Sequence, residues 1–421
     1  MDLYQLIKKS KVFSFIVLFI ILEIILDFIS SFSNSGGFTL TPYLRIVLLL
    51  FTLSFFILDI INIRFPLSFR KKVSYQKIFV FGWLFFAILS VFIGLVNKNP
   101  ILYITTDFIY VFFGAILFFI VDSKKTKVVL NNRRFYLFSM LLISIGYICL
   151  FFDIKAPAIL LILIAITIFI NILKGKTINA VFLLIPYFIL VVSTNRTQVI
   201  VFLLLFFILL LKKIRTVYTS RAVLFFGLSI MIVIFLLKEQ IMEVVLLCIN
   251  PNSNLGYRIN QIAVILNEGI DYSNPFFTSI VQRIIEAEIV IKYWTSDIFT
   301  FIFGLGSGGT IDGSKFFSDT SVLNSSLLGA KRVHNIHLLP FSLIFRYGLV
   351  GLIFFFILLR IVYQSFIKVL NEETNIEKIF WNLFLISWVL FSMPAASYLW
   401  SMPVFWISLA YTNKQFKTLN N

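Results

Sequence analysis

Only two histidines occur in this chain, His334 and His337, and they stand one helical turn apart in Val333-His334-Asn335-Ile336-His337-Leu338. Imidazole titrates near neutrality, so His334 could take a proton from a hydroxyl. As metal ligands they make a poor pair, because no cysteine or carboxylate stands beside them in the sequence. A glycine-rich run precedes them, Phe303-Gly304-Leu305-Gly306-Ser307-Gly308-Gly309. Its backbone N–H groups could cradle a phosphate, since glycine permits close approach. It is neither G-x-G-x-x-G after a strand nor a P-loop ending in Lys-Ser/Thr, which argues against a nucleotide. A structural turn is the favoured reading of these glycines.

Arginine is the other residue type with chemistry to offer. Arg196 lies between two apolar runs, in Ser193-Thr194-Asn195-Arg196-Thr197, either snorkelling from a helix end or binding an anion. Arg258 and Arg283 are solvated charges or diphosphate ligands, because the planar guanidinium meets phosphate oxygens two at a time. No aspartate cluster with metal-ligand spacing accompanies them. Four acids, Glu23, Asp27, Asp59 and Asp107, fall inside apolar segments. Asp27 and Asp59 lie near segment ends, whereas the deeper Glu23 suits a proton relay or a transporter.

These residues need a membrane-embedded scaffold. Of 421 residues, 60% are hydrophobic and 13% charged, about half the charged share of a soluble domain. The net charge of +17 would suit nucleic acid, but the lysines and arginines fall in short clusters between apolar runs, as topology signals do. No nucleic-acid partner is expected. Lys8, Lys9 and Lys11 precede a long apolar run without a small-residue cleavage site, so no cleaved signal peptide is expected. Cys149 and Cys248 are far apart and form no metal motif.

A spanning helix needs about 20 mostly apolar residues. The candidates are 12–30, 44–63, 78–96, 102–121, 135–152, 157–173, 179–194, 197–211, 222–238, 347–363, 379–394 and 396–411, which predicts an all-α polytopic membrane protein of about 12 transmembrane helices. With the N-terminus in the cytoplasm, most basic residues fall on the cytoplasmic side, and the short outer loops receive only Arg45, Lys98, Lys155 and Arg196. Both termini are therefore expected inside. The layout is residues 1–238 with nine helices, a large extracytoplasmic loop over 239–346 carrying the catalytic elements, and 347–421 with three helices and a cytoplasmic tail. Within the loop, Thr278 to Trp294 reads as an amphipathic helix and Asp312 to Ser326 as an irregular connection. Tyr257, Tyr272, Tyr293 and Trp294 read as interfacial belt residues, with stacking on sugar rings as the alternative.

Taken in order, Thr194-Asn195-Arg196-Thr197 opening an apolar helix, Arg283, Trp294, Phe303 to Gly308, and His334-Asn335 leading to Tyr347-Gly348-Leu349-Val350-Gly351 resemble the O-antigen polymerase/ligase family over roughly residues 190 to 360. The resemblance implies a GT-C-like fold and metal-independent glycosyl transfer, without a cofactor, on the outer face of the bacterial cytoplasmic membrane. The implied donor is an oligosaccharide on undecaprenyl diphosphate. The acceptor is a sugar hydroxyl, on the next lipid-linked repeat unit of an O-antigen, capsule or exopolysaccharide (polymerase) or on a lipid A core (ligase). Membrane lipid, a chain-length regulator and a flippase are the further partners it implies. Carried across, His334 orients or deprotonates the attacking hydroxyl, and Arg196 and Arg283 bind the diphosphate, with Arg258 a weaker candidate. Asn335, His337, Gly304, Gly306 and Arg346 are supporting residues. The polymerase is the expected activity. A lipid-linked-oligosaccharide transporter is the alternative of another class, and it predicts internal repeats and no dominant outer loop.

Overall fold

Backbone in hydrocarbon must satisfy its own hydrogen bonds, and long apolar runs do so as helices. The computed structural model describes residues 11–33, 41–61, 74–123, 130–152, 156–194, 196–215, 264, 278–311, 333–372 and 374–414. Among them there is no strand, only one isolated antiparallel bridge between Ile311 and Val333. The helices are α1 (Lys11–Ser33), α2 (Thr41–Ile61), α3 (Tyr75–Val96), α4 (Ile101–Ser123), α5 (Asn132–Phe151), α6 (Ala158–Leu173), α7 (Thr177–Thr194), α8 (Arg196–Arg215), α9 (Thr278–Trp294), α10 (Ile298–Phe303), α11 (Leu339–Asn371), α12 (Ile376–Ser392), α13 (Ser397–Ser401) and α14 (Pro403–Asn413).

Five of these are long and apolar enough to cross a membrane: Lys11–Ile29, Tyr75–Val96, Ile101–Ser123, Asn132–Phe151 and Leu339–Asn371. The exposed faces agree. Phe81, Phe85, Ile88, Phe92 and Leu95 of α3 are all exposed, and their spacing of four and three lines them along one side of the helix. A continuous apolar stripe of that kind needs an apolar solvent. Among the described residues the fold is all-helical, and the apolar helices are those of a membrane protein. At its centre, α6 and α12 are buried along nearly their whole length, as expected of helices that are apolar on every side.

Helices occupy the expected apolar segments except 222–238, which lies outside the described residues. Two expectations change. The segment 396–411 is not one helix but α13 and α14, parted at Met402 (φ −98, ψ 124) before Pro403. Proline offers no N–H to the preceding turn and drives the residue before it to extended backbone. The segment 347–363 is part of α11, which starts at Leu339 and so crosses the boundary drawn at 346. α11 is kinked at Gly348 (φ 60, ψ −137).

Polar contacts sort the helix ends into two groups. At one end Lys11 pairs with Asp59 at 2.7 Å and Lys77 with Asp122 at 3.2 Å. There Asn413 Nδ2 donates to Asp122 Oδ1 at 2.7 Å, Lys174 Nζ to Asn132 Oδ1 at 2.6 Å, and Lys212 Nζ to the Val369 carbonyl at 2.6 Å. Lys378 pairs with Glu372 in the same region. At the opposite end the α3–α4 turn, the glycine run, the start of α11 and the α12–α13 turn meet. Up-and-down alternation requires this grouping.

Gly348 tests the packing at that second end. A Cβ built on it would lie 2.6 Å from Gly304 N and 2.7 Å from Ile302 O, at a positive φ as well. Gly348→Ala should destabilise the protein by about 2–3 kcal/mol, from backbone strain and forced separation of α10 from α11. Denaturant unfolding of the detergent-purified protein measures this, and an unchanged midpoint would contradict the close approach.

Candidate functional site

The glycine run is fixed between three helices. α10 is capped at its start by Asp297, whose carboxylate accepts the Thr300 N–H at 2.9 Å, and it stops at Gly304 with φ 74. The run then threads between α3, α4 and α11. Leu305 N donates to Phe345 O at 2.9 Å, Gly306 N to Arg346 O at 3.2 Å and Ser307 N to Ser90 O at 2.9 Å. Gly308 N donates to Asp107 Oδ2 at 3.0 Å, and Gly309 N to Gly306 O at 3.2 Å. From the α3–α4 turn, Asn99 Nδ2 donates to the carbonyls of Leu305 and Ser307, both at 2.9 Å. Every N–H of the run is spent within the protein, so none is left to hold a phosphate. Gly304 and Gly306 act by letting backbones touch: a Cβ on Gly306 would lie 2.5 Å from Gly94 N.

Against this loop lies a buried cluster of charge. Asp107 is on the second turn of α4, Arg346 just before the α11 kink, and His334 in the segment between the Ile311–Val333 bridge and α11. Arg346 Nε donates to Asp107 Oδ2 at 2.9 Å, and His334 Nε2 is 3.3 Å from Asp107 Oδ1. Arg346 Nη1 donates to Ser342 Oγ at 2.7 Å, and its Nη2 lies 3.4 Å from His334 Nε2. The side chains of Arg346, Asp107 and His334 are 3%, 6% and 9% exposed. Two aromatic rings close the cluster. Tyr103 stacks on the His334 ring at 4.4 Å and 4°, and Trp400 lies 5.2 Å from the Arg346 guanidinium carbon. The second arrangement places the guanidinium over an aromatic face, which favours a cation there.

His337 has a second, more open setting. Its Nδ1 is 2.9 Å and 3.0 Å from the two carboxylate oxygens of Glu286, on α9. The same carboxylate accepts the His337 backbone N–H at 3.1 Å and Gln282 Nε2 at 3.1 Å. The Glu286 side chain is 3% exposed and that of His337 30%. α9 reaches this place because its apolar face, with Ile285, Ile289 and Val290, packs on Ile336, Ile344 and Phe345 in a small separate core. The Ala396 N–H donates to the His337 carbonyl at 2.8 Å, which ties the α12–α13 turn to the site.

The two histidines are not equivalent in what they can do. Gly309 O lies 2.9 Å from His334 Nδ1, and a carbonyl only accepts, so that nitrogen carries its hydrogen. His334 Nε2 is enclosed by Asp107 and Arg346. Both nitrogens are engaged. In His337 the Nδ1–H is directed at a carboxylate, which leaves the Nε2 lone pair without a partner among the described residues and the ring partly open. Each histidine therefore has a carboxylate companion, which the neighbouring sequence does not show: Asp107 and Glu286 come from other helices.

Arg283 is half-buried on α9, one turn before Glu286 and on the same face. Burial holds its guanidinium below the ordinary arginine range, with Glu286 acting in the opposite direction. Asn335 is exposed. Arg196 opens α8, its side chain outside the described residues, as is the whole of Arg258. Tyr257 and Tyr272 also lie outside them. Trp294 stacks on Phe301 at 4.8 Å and donates Nε1–H to its carbonyl at 2.7 Å, so one of its faces is taken up in holding α9 to α10. Glu23 has a buried Oε2 without a hydrogen-bond partner among the described residues. Also among these residues, no three or more His, Cys, Asp or Glu side chains converge as a metal site would require.

Asp107, Glu286, Tyr103 and Trp400 are additions to the residues expected from the sequence. Only Asp107 carried a prior signal, as an acid in an apolar segment. Arg346→Met should destabilise the protein by about 3–5 kcal/mol, because Asp107 is left buried without its guanidinium, and joint replacement of both by apolar residues should recover most of that loss. Unfolding of the single and double variants measures the coupling, and simple additivity would refute it.

No protein family, curated protein or solved structure matches the chain.

Proposed function

We propose that this protein is a glycosyltransferase of the O-antigen polymerase/ligase type, with about 12 membrane spans and a GT-C-like arrangement. In this reading it joins undecaprenyl-diphosphate-linked oligosaccharide units at the outer face of the bacterial cytoplasmic membrane, and both termini are cytoplasmic. The observation that carries the reading is the Glu286–His337 pair, a partly open imidazole held in one tautomer by a buried carboxylate. It lies at the helix end opposite the clustered lysine contacts.

An acceptor hydroxyl attacks the anomeric carbon of the donor as the diphosphate leaves. His337 Nε2 takes the hydroxyl proton, and the imidazolium formed is stabilised by Glu286. This moves the base from His334, whose nitrogens are both engaged, to His337. Arg283, one turn from Glu286, neutralises charge on the departing diphosphate, and Arg196 and Arg258 remain candidates for the same task. The leaving group is already activated, so positioning and charge neutralisation are the main work, and no metal is needed. Polymerisation is the preferred activity. Transfer to a lipid A core is distinguished from it in a deletion strain: single repeat units on the surface glycan mean a lost polymerase, and long chains left on the carrier lipid a lost ligase.

Purified protein incubated with a lipid-linked repeat unit and a chelator should build a ladder of lengths. His337→Ala should lower kcat by about 10²–10⁴-fold, at normal membrane abundance. Glu286→Gln should follow it with a loss of about 10²-fold, since the tautomer is no longer held. A ladder of normal intensity from His337→Ala removes the base assignment. Arg283→Lys should lose most activity, because a point charge does not replace the fork, and full activity there places the diphosphate elsewhere.

A further inference from the structure

Asp107 touches three separated parts of the chain. Its Oδ2 accepts the Gly308 N–H and Arg346 Nε, and its Oδ1 faces His334 Nε2. Its side chain is 6% exposed. Its partners lead directly to His337. His334 lies three residues before it, and the intervening Ile336 is buried in the core under α9. His337 itself is held at its N–H by Glu286 and at its carbonyl by Ala396.

We propose that Asp107 is a positioning residue: by pinning the glycine run, His334 and the first half of α11 to α4, it sets the His337 ring against Glu286. Removal of the carboxylate takes away the one group that faces both the His334 ring and the Arg346 guanidinium, and the ring keeps only its contacts to Gly309 and Arg346 on that side. The His334 ring then loses its place, and the segment leading to His337 loses one of its anchors. The functional half of this inference rests on the glycosyl-transfer reading. The structural half does not.

Because the chain has only two histidines, carbethoxylation with diethyl pyrocarbonate followed by mass spectrometry reads both at once. The full-length protein in detergent should take up the reagent at His337 and resist it at His334. Asp107→Asn should speed labelling of His334 by about tenfold or more, as expected for loss of a local closing interaction, while Asp107→Glu, which keeps the charge, should stay below that rate. If Asp107→Asn does not fold, Ser342→Ala removes one Arg346 bond only and should raise His334 labelling about two- to threefold. An unchanged His334 rate in whichever variant folds overturns the proposal. In the glycan assay Asp107→Asn should lower kcat by about tenfold or more and leave the donor KM within about twofold. A raised KM at unchanged kcat would make Asp107 a donor-binding group and overturn the positioning role. If the wild-type protein transfers no sugar, the functional reading fails and the labelling result still decides the structural half.

Discussion

The Asp107 carboxylate is a charge on an apolar helix, and the opposite end of the bundle from the lysine contacts is arranged around it. A charge there is tolerated only when its hydrogen-bonding capacity is filled. Asp107 is filled by a guanidinium, a backbone N–H and a histidine, all drawn from stretches far from it in sequence. Each partner in turn needs a fixed backbone. Gly308 needs the threading of the glycine run, Arg346 needs the turn of α11 ahead of its kink, and His334 needs its bond to Gly309. One buried charge thus accounts for why the glycine run is held against the bundle rather than lying over it as an independent surface element.

The same requirement separates the two histidines. Close spacing in sequence suggests shared work, but the local donors and acceptors divide it. His334 is surrounded on both nitrogens and covered by Tyr103, which suits a group that holds structure. His337 has one nitrogen fixed by Glu286 and the other open, which suits a group that exchanges a proton. The difference arises from what α4 and α9 place against each ring rather than from the histidines themselves.

The helices were largely legible in the sequence, because an apolar run of membrane length has few alternatives to helix formation. α9 also was, through its amphipathic period, with the same limits at Thr278 and Trp294. The break at Met402 was legible in principle from Pro403 but was outweighed by continuous hydrophobicity. The site was less accessible. Glycines within Phe303 to Gly309 announced a turn, yet the reason for Gly304, Gly306 and Gly308 lies in close contact with Gly348, Gly94 and Ile104 respectively, which no local pattern reveals. Asp107 stood out only as one of four acids in apolar segments, and nothing nearby marked it above Glu23. Glu286 is one of several charges on an amphipathic helix, and it is buried and turned to His337. In each case the missing information was a pairing across helices.

The pairing of Gly304 with Gly348 shows how the two halves of the site depend on one another. Gly304 ends α10, and α10 is tied through Trp294 to α9, which carries Glu286 and Arg283. Gly348 is the kink of α11, two residues after Arg346. Their backbones meet closely enough to exclude any side chain, so the helix bearing Glu286 and the helix bearing Arg346 share one fixed point. A rigid contact of this kind transmits position without needing a bond between the charged clusters themselves. The Asp107 cluster secures one side of that point and the Glu286–His337 pair stands on the other, which places His337 on a frame shared with a carboxylate it does not touch.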